Sequence, residues 1–337
     1  MEHFYTESPH WHQKIGQIHA LLERVKISEE QSEDVLRLRK LNRIMSIHSS
    51  TAIEGNILSL GQVTDIVNGK PVLGPPKDIR EVQNAWQAYD GLETYDPWNI
   101  SDLLHAHALM TQGLVYESGA FRSVDVSVVR GDGTVLHRGA APVSVPYLVE
   151  ELFEWGQSSE AHPLIKSSAV HFMLEHIHPF RDGNGRIGRL WQTLILAVWN
   201  SLFQWMPVET LIRDSQASYY AALQESHVGE VDCRPFIDYM LEVIENALSV
   251  YVDIASETTE DVGINVGINV GINSPLQQRI LEKIQQEPTL TARELAVLLD
   301  VSQRTIERHI KDLREQGVLE RAGSLKTGYW RIVTERL

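Results

Sequence analysis

The sequence predicts a mainly α-helical domain carrying one β-hairpin, followed by a small C-terminal domain of helices and two strands. Three observations predict it. Apolar residues recur at helical spacing along most of the first part of the chain, alternation of apolar and polar residues appears only between Val124 and Leu136, and a glycine-rich repeat separates two segments of opposite charge. The 337 residues are 43% hydrophobic and 22% charged, which supplies an ordinary globular core and excludes a chain disordered along most of its length. Cys233 is the only cysteine. A disulfide framework and a Cys-based zinc site are therefore excluded, a reducing compartment fits, and Cys233 itself reads as a small buried hydrophobe.

In chain order, the start Met1-Glu-His-Phe-Tyr-Thr-Glu7 has no basic segment leading into an apolar one, so no secretory signal is read and a cytoplasmic protein is expected. Val35, Leu38, Leu41, Ile44 and Met45 form one helical stripe, as do Val170, Met173, Leu174 and Ile177, and then Ile237, Met240, Leu241, Ile244 and Leu248. These are core positions. The most apolar run, Leu194 to Trp199, is far shorter than the ~20 residues a membrane span requires, so a buried helix is expected and a membrane partner is not. Val124, Val126 and Val128 alternate before Gly131-Asp-Gly133 and then Val135 and Leu136, a strong hairpin signal.

The net charge is −15, from 45 acids against 30 bases, which argues against nucleic acid held over the whole surface. Residues 274–337 carry 11 Lys plus Arg against 9 Asp plus Glu, which leaves 19 against 36 for residues 1–273. Between the two parts stands Val-Gly-Ile-Asn three times over, from Val262 to Asn273. Three short copies cannot build a solenoid, and a glycine at every fourth position opposes a helix, so residues 256–273 read as a linker.

The chemistry concentrates at His178-Pro-Phe-Arg-Asp-Gly-Asn-Gly-Arg186-Ile-Gly-Arg189. One helical segment, from about Pro163, ends at Pro179 and another starts after the glycines, so the motif is a loop between two helices. Gly183 and Gly185 let N–H groups point inward, and the new helix adds free donors and the positive end of its dipole: an anion cradle. Arg186 and Arg189 sit on the first turn, where the macrodipole disfavours cations unless an anion lies between them. A polyphosphate answers that requirement. Asp182 suits Mg²⁺, which takes a carboxylate, phosphate oxygens and water. His178, with an ordinary pKa of about 6.5, suits taking a proton from a hydroxyl. A metal hydrolase would use the nearby His171, Glu175, His176 and His178, but His-x-x-x-Glu-His matches no zinc-protease spacing, and His171 and His176 fall on diverging helix faces.

The run from His178 to Arg186 resembles the signature of the Fic family of adenylyltransferases at all its fixed positions, with Arg189 as the second arginine. Gly119-Ala-Phe-Arg122 and Tyr219-Tyr-Ala-Ala-Leu223 also resemble family landmarks, so the likeness spans roughly residues 1–250. It implies a mainly α Fic-type fold, with residues 1–95 as an N-terminal helical region and 96–255 as the catalytic core. It implies transfer of AMP from ATP to a hydroxyl of a protein Ser, Thr or Tyr, on a target or on the chain itself. His178 would be the base and Asp182 would hold Mg²⁺. Asn184 with the loop amides would grip the α-phosphate and Arg186 and Arg189 the outer phosphates, with Gly183, Gly185, Ile187 and Gly188 also counted among the ATP-binding residues. The hairpin would be the flap, placing Val135, Leu136 and His137 near adenosine or target. Tyr219 and His227 fall where relatives place an aromatic and an Asn beside adenine, and His227 departs from that Asn.

Ser49-Ser50-Thr-Ala-Ile-Glu54-Gly55-Asn56 closes a predicted helix, with Ser50 and Glu54 on one face and Gly55 as the stop. It resembles the Fic inhibitory motif, Ser/Thr-x-x-x-Glu-Gly/Asn. By that likeness Glu54 would pair with Arg189 in place of the ATP γ-phosphate, leaving ATP in an unproductive pose.

Residues 274–337 resemble a winged helix-turn-helix. Ile280, Leu281 and Ile284 mark a first helix, Thr291 caps a second through Leu299, and Gln303 to Gln316 forms a third, followed by strands at Val318–Arg321 and Tyr329–Val333. Arg304, Thr305 and Arg308 are the candidate DNA contacts, and a protein–protein or dimerisation module of the same fold, the latter giving a homodimer, is the competing expectation. The rival for the whole chain is a DNA-binding transcriptional regulator whose larger domain only senses nucleotide.

Overall fold

A computed structural model of the chain describes residues 4–30, 35–129, 135–227, 231–256, 275–299, 303–315, 318–322 and 329–332, in two compact units, Met1–Ser256 and Glu257–Leu337. The proposed linker repeats lie outside the described residues. The first unit is helical: α1 (His10–Glu30), α2 (Val35–Ile53), α3 (Leu60–Val67), α4 (Pro76–Asp90), α5 (Ile100–Thr111), α6 (Val145–Ser158), α7 (Pro163–Ile177), α8 (Asn184–Trp199), α9 (Val208–Asp214), α10 (Gln216–Glu225) and α11 (Arg234–Ser256). Antiparallel strands β1 (Ser127–Val129) and β2 (Val135–Arg138) stand between α5 and α6, pairing Ser127 with Arg138 and Val128 with His137. The hairpin is where alternation predicts it; its Gly131-Asp-Gly133 turn and the side chains of Val135 and Leu136 lie outside the described set.

Local sequence sets the helix ends. Ser59 and Gln62 close a capping box on α3, Asn99 accepts the Ser101 N–H at the start of α5, and prolines open α4 and α7, where a missing N–H is harmless. α7 packs against α8, α1 against α11, and α2 against α4 and α9. The stripes read from sequence face this core: Ile44, Met45, Val170, Leu174, Ile177, Ile237, Met240, Ile244 and Leu248 are all buried. Such side chains each contribute about 1.5–3 kcal/mol by leaving water. Ile44 and Ile47 join the same cluster as Phe172, Leu190 and Trp191, so residues 1–95 and 96–255 share one core. Cys233 is buried as a free thiol. None of the described helices is long and apolar enough to cross a membrane.

The second unit contains α12 (Pro275–Gln286), α13 (Ala292–Leu299), α14 (Gln303–Glu315) and an antiparallel pair, β3 (Leu319–Ala322) with β4 (Tyr329–Ile332). Ile280, Ile284, Leu295, Leu299, Ile306, Ile310, Leu313 and Trp330 form its own core. Thr291 caps α13 in a reciprocal box with Glu294, and the Trp330 indole donates to the Leu290 carbonyl at 2.9 Å. Arg304, Thr305 and Arg308 lie on α14; the side chains of Arg304 and Arg308 are outside the described set.

Candidate active site

The loop between α7 and α8 is fixed by backbone geometry before any ligand enters. His178 caps α7 in the left-handed region (φ 53°, ψ 60°), alone among the described non-glycine residues in having positive φ. Such strain persists only where the surroundings enforce it. The His178 ring donates from Nδ1 to the Glu175 carbonyl at 3.3 Å, which leaves Nε2 with the lone pair. Burial lowers its pKa to about 4, so the ring is neutral at physiological pH and able to accept a proton. Four main-chain carbonyls, those of Val124, Ala140, Ile177 and His178, accept hydrogen bonds from the buried Arg122 guanidinium. One arginine thus fastens the hairpin's base to the loop between α7 and α8.

Gly183 precedes α8 as its N-cap, also left-handed (φ 87°), where a Cβ would meet Thr111 at 2.9 Å. No side chain caps this end, so among the described residues the first N–H groups of the helix are unengaged donors. Asp182 is half-exposed; its Oδ1 accepts the Gly183 N–H at 2.6 Å and lies 3.2 Å from Arg186 Nη2, while its Oδ2 makes no hydrogen bond among the described residues. Arg186 is buried between Asp182 and Glu81; its Nη1 lies 3.5 Å from Glu81 Oε1, and neither Nη1 nor Nε has a hydrogen-bond partner among the described residues. An anion would satisfy them. His107 stacks on Phe180 at 3.7 Å and donates from Nε2 to the Asp182 carbonyl, holding the loop from beneath.

Glu54 reaches this cradle from the end of α2. Its Oε1 accepts from Arg189 Nη2 at 2.6 Å, and the same guanidinium donates to the Ser50 hydroxyl and carbonyl at 3.1 and 3.0 Å. Burial opposes the Arg189 charge, but Glu54 together with Tyr219 and Glu175 outweighs it, and the pKa is raised. A Cβ on Gly185 would fall 2.2 Å from Glu54 Oε1, so the carboxylate lies directly over the first turn of α8. Gly55 is left-handed (φ 93°) and ends α2 as its sequence position predicts. Glu175 is beside the pair, pushed up to about 7 by burial and by the Glu54 charge.

Several expected nucleotide contacts are placed otherwise. The Asn184 amide is engaged with its own chain, accepting the Phe180 N–H at 2.9 Å and donating to the Phe180 carbonyl at 2.8 Å, so it staples the loop. The Ile187 side chain is core and its N–H donates to Gly183, while Gly188 is small because His171 packs 2.7 Å from where its Cβ would be. Tyr219 is only 2% exposed; its hydroxyl meets His171 Nε2 at 3.1 Å, which puts the ring in the core and not on an open adenine-binding face. His137 and His227 do come together, with ring centroids 4.2 Å apart, and His176 joins them at 4.9 and 5.0 Å. Burial lowers all three, His176 to about 4, so the rings are neutral. Sequence reading missed Glu81 and His107 as loop supports because each is a lone polar residue in a helix.

Residues 97–196 match the Fic/DOC family, and residues 276–329 match an HTH domain. A crystal structure of a Fic family protein from Desulfovibrio desulfuricans G20 is 34% identical, covers 99% of this chain and 98% of its own, and superposes with a TM-score of 0.70. The chain belongs to the Fic family. Protein adenylyltransferase fic-1 of Caenorhabditis elegans is 29% identical over 274 residues, and protein adenylyltransferase Fic of Aedes aegypti 28% over 239. The chain spans about half the length of these curated relatives, 50% and 45%.

Proposed function

We propose that the chain is a protein adenylyltransferase held in check by its own Glu54. In this reaction the oxygen of a protein hydroxyl attacks the α-phosphorus of ATP, the bond to the β-phosphate oxygen breaks, and pyrophosphate leaves. His178 Nε2 takes the hydroxyl proton. The unengaged N–H groups at the start of α8 receive charge developing on the α-phosphate, and Arg186 and Arg189 take the outer phosphates. The donor set fits Mg²⁺ at Asp182, whose second oxygen is open; the ion would neutralise phosphate charge when bound. The single observation that carries this reading is the Glu54 carboxylate on Arg189 at 2.6 Å, an anion already seated in the cradle.

The HTH match at residues 276–329 supports DNA as a second partner. Parallel incubations of a Glu54→Gly variant, which lacks the inhibitory carboxylate, with α- and γ-phosphate-labelled ATP test the transfer. Label from the α-position should become covalently attached to protein while γ-label should not. Nucleotide bound without covalent α-label would point to a sensor in a DNA-binding regulator.

A further inference from the structure

Away from the phosphate cradle, three segments of the first unit converge on one point. His137 comes from β2, His176 from the last turn of α7, and His227 from just after α10. One ring nitrogen of each lies within 4.8 Å of those of the other two. No carboxylate belongs to the group.

The outer hydrogen bonds of His137 and His227 fix which of their nitrogens carry lone pairs. His137 Nε2 donates to the His176 carbonyl at 2.6 Å, and His227 Nδ1 donates to the Leu223 carbonyl. A carbonyl only accepts, so each of those nitrogens carries the proton and the other carries the lone pair. His227 Nε2 and His176 Nδ1 are buried and have no hydrogen-bond partner among the described residues. Buried polar nitrogens left unpaired cost about 1–3 kcal/mol each. Metal-bound histidines show the pattern of His137 and His227, one nitrogen on a backbone carbonyl and the other on the ion.

The geometry points to a transition-metal site, of the Zn²⁺ class, formed by His137, His176 and His227. Zn–N bonds of about 2.0–2.1 Å place donor nitrogens roughly 3.4 Å apart in a tetrahedron, so side-chain shifts of about 1 Å would bring all three onto one ion. Three imidazoles and no carboxylate exclude Mg²⁺ and Ca²⁺, which require oxygen ligands, and leave a fourth position for water. A bound ion would tie the hairpin strand to the end of α7, two residues before His178. The site requires no adenylyl transfer, and its test is independent of that reading.

The test uses the metal-free full-length chain, dialysed against Zn²⁺ with excess Mg²⁺, alongside His137→Gln and His227→Gln variants whose folding is checked by circular dichroism. The wild-type chain should retain one equivalent of Zn²⁺ that either variant binds about 100-fold or more weakly. Loaded with Co²⁺ instead, it should show an intense tetrahedral visible band that both variants lose. His137 is on a strand edge, half-buried, so its replacement tests the site even if His227→Gln unfolds. Equal Zn²⁺ retention by the wild-type chain and the folded variants, or displacement by Mg²⁺, would overturn the proposal.

Discussion

Replacing Glu54 by Gly removes the carboxylate that Arg189 holds at 2.6 Å while leaving that guanidinium its two hydrogen bonds to Ser50. Arg189 is 1% exposed and Glu54 34%, so the pair is screened on one side and the values for fully buried pairs do not apply. A charge-assisted hydrogen bond in this setting is worth about 1.5–3 kcal/mol. Productive ATP must displace that carboxylate, so its removal should raise transfer roughly 10- to 150-fold. The rate of label transfer from α-phosphate-labelled ATP at saturating ATP measures the gain. Thermal unfolding provides a second reading. Without nucleotide the variant strands the buried Arg189 charge and should melt below the wild-type chain, and saturating ATP should close most of the gap. An unchanged transfer rate at saturating ATP would refute the inhibitory role of Glu54.

Other perturbations follow from neighbouring residues. Gly185→Ala places a methyl 2.2 Å from the position of the Glu54 oxygen, within the space a phosphate oxygen would occupy, so adding it to Glu54→Gly should cut transfer by about 10². Arg122→Lys should cost about 2–4 kcal/mol in denaturant unfolding and reduce transfer, because a single ammonium cannot serve four carbonyls. If DNA is the partner of the second unit, replacing Arg304 and Arg308 by Ala should weaken binding in a gel-shift titration and flatten its salt dependence by about one unit of slope for each phosphate no longer neutralised. Salt-insensitive self-association that survives both substitutions would favour dimerisation.

What the sequence made legible was local. The run from His178 to Arg189 is contiguous, so its helix stop, glycine turn and paired arginines could be read in order, and Gly55 through its backbone and Thr291 through its hydroxyl announced helix ends. The Glu54–Arg189 pair bridges 135 positions and was reached only through resemblance. What stayed hidden depends on where side chains turn. Asn184 bonds to the backbone four residues before it, and Tyr219 faces inward to His171; neither fact leaves a mark in residue spacing. The histidine group draws on three elements, and only His176 stands in the stretch weighed for metal ligation. Its distance from His171 counted against a site whose other members are far away along the chain.

The most direct measurement is the intact mass of protein after incubation with ATP and Mg²⁺, comparing Glu54→Gly with the same chain carrying His178→Ala as well. Loss of a well-placed general base typically costs about 10² or more. The single variant should gain the mass of an adenylyl group on itself or on an added target. The double variant should gain none on the same timescale while still binding ATP. Equal adenylylation of both, or none in either, would contradict adenylyl transfer driven by His178.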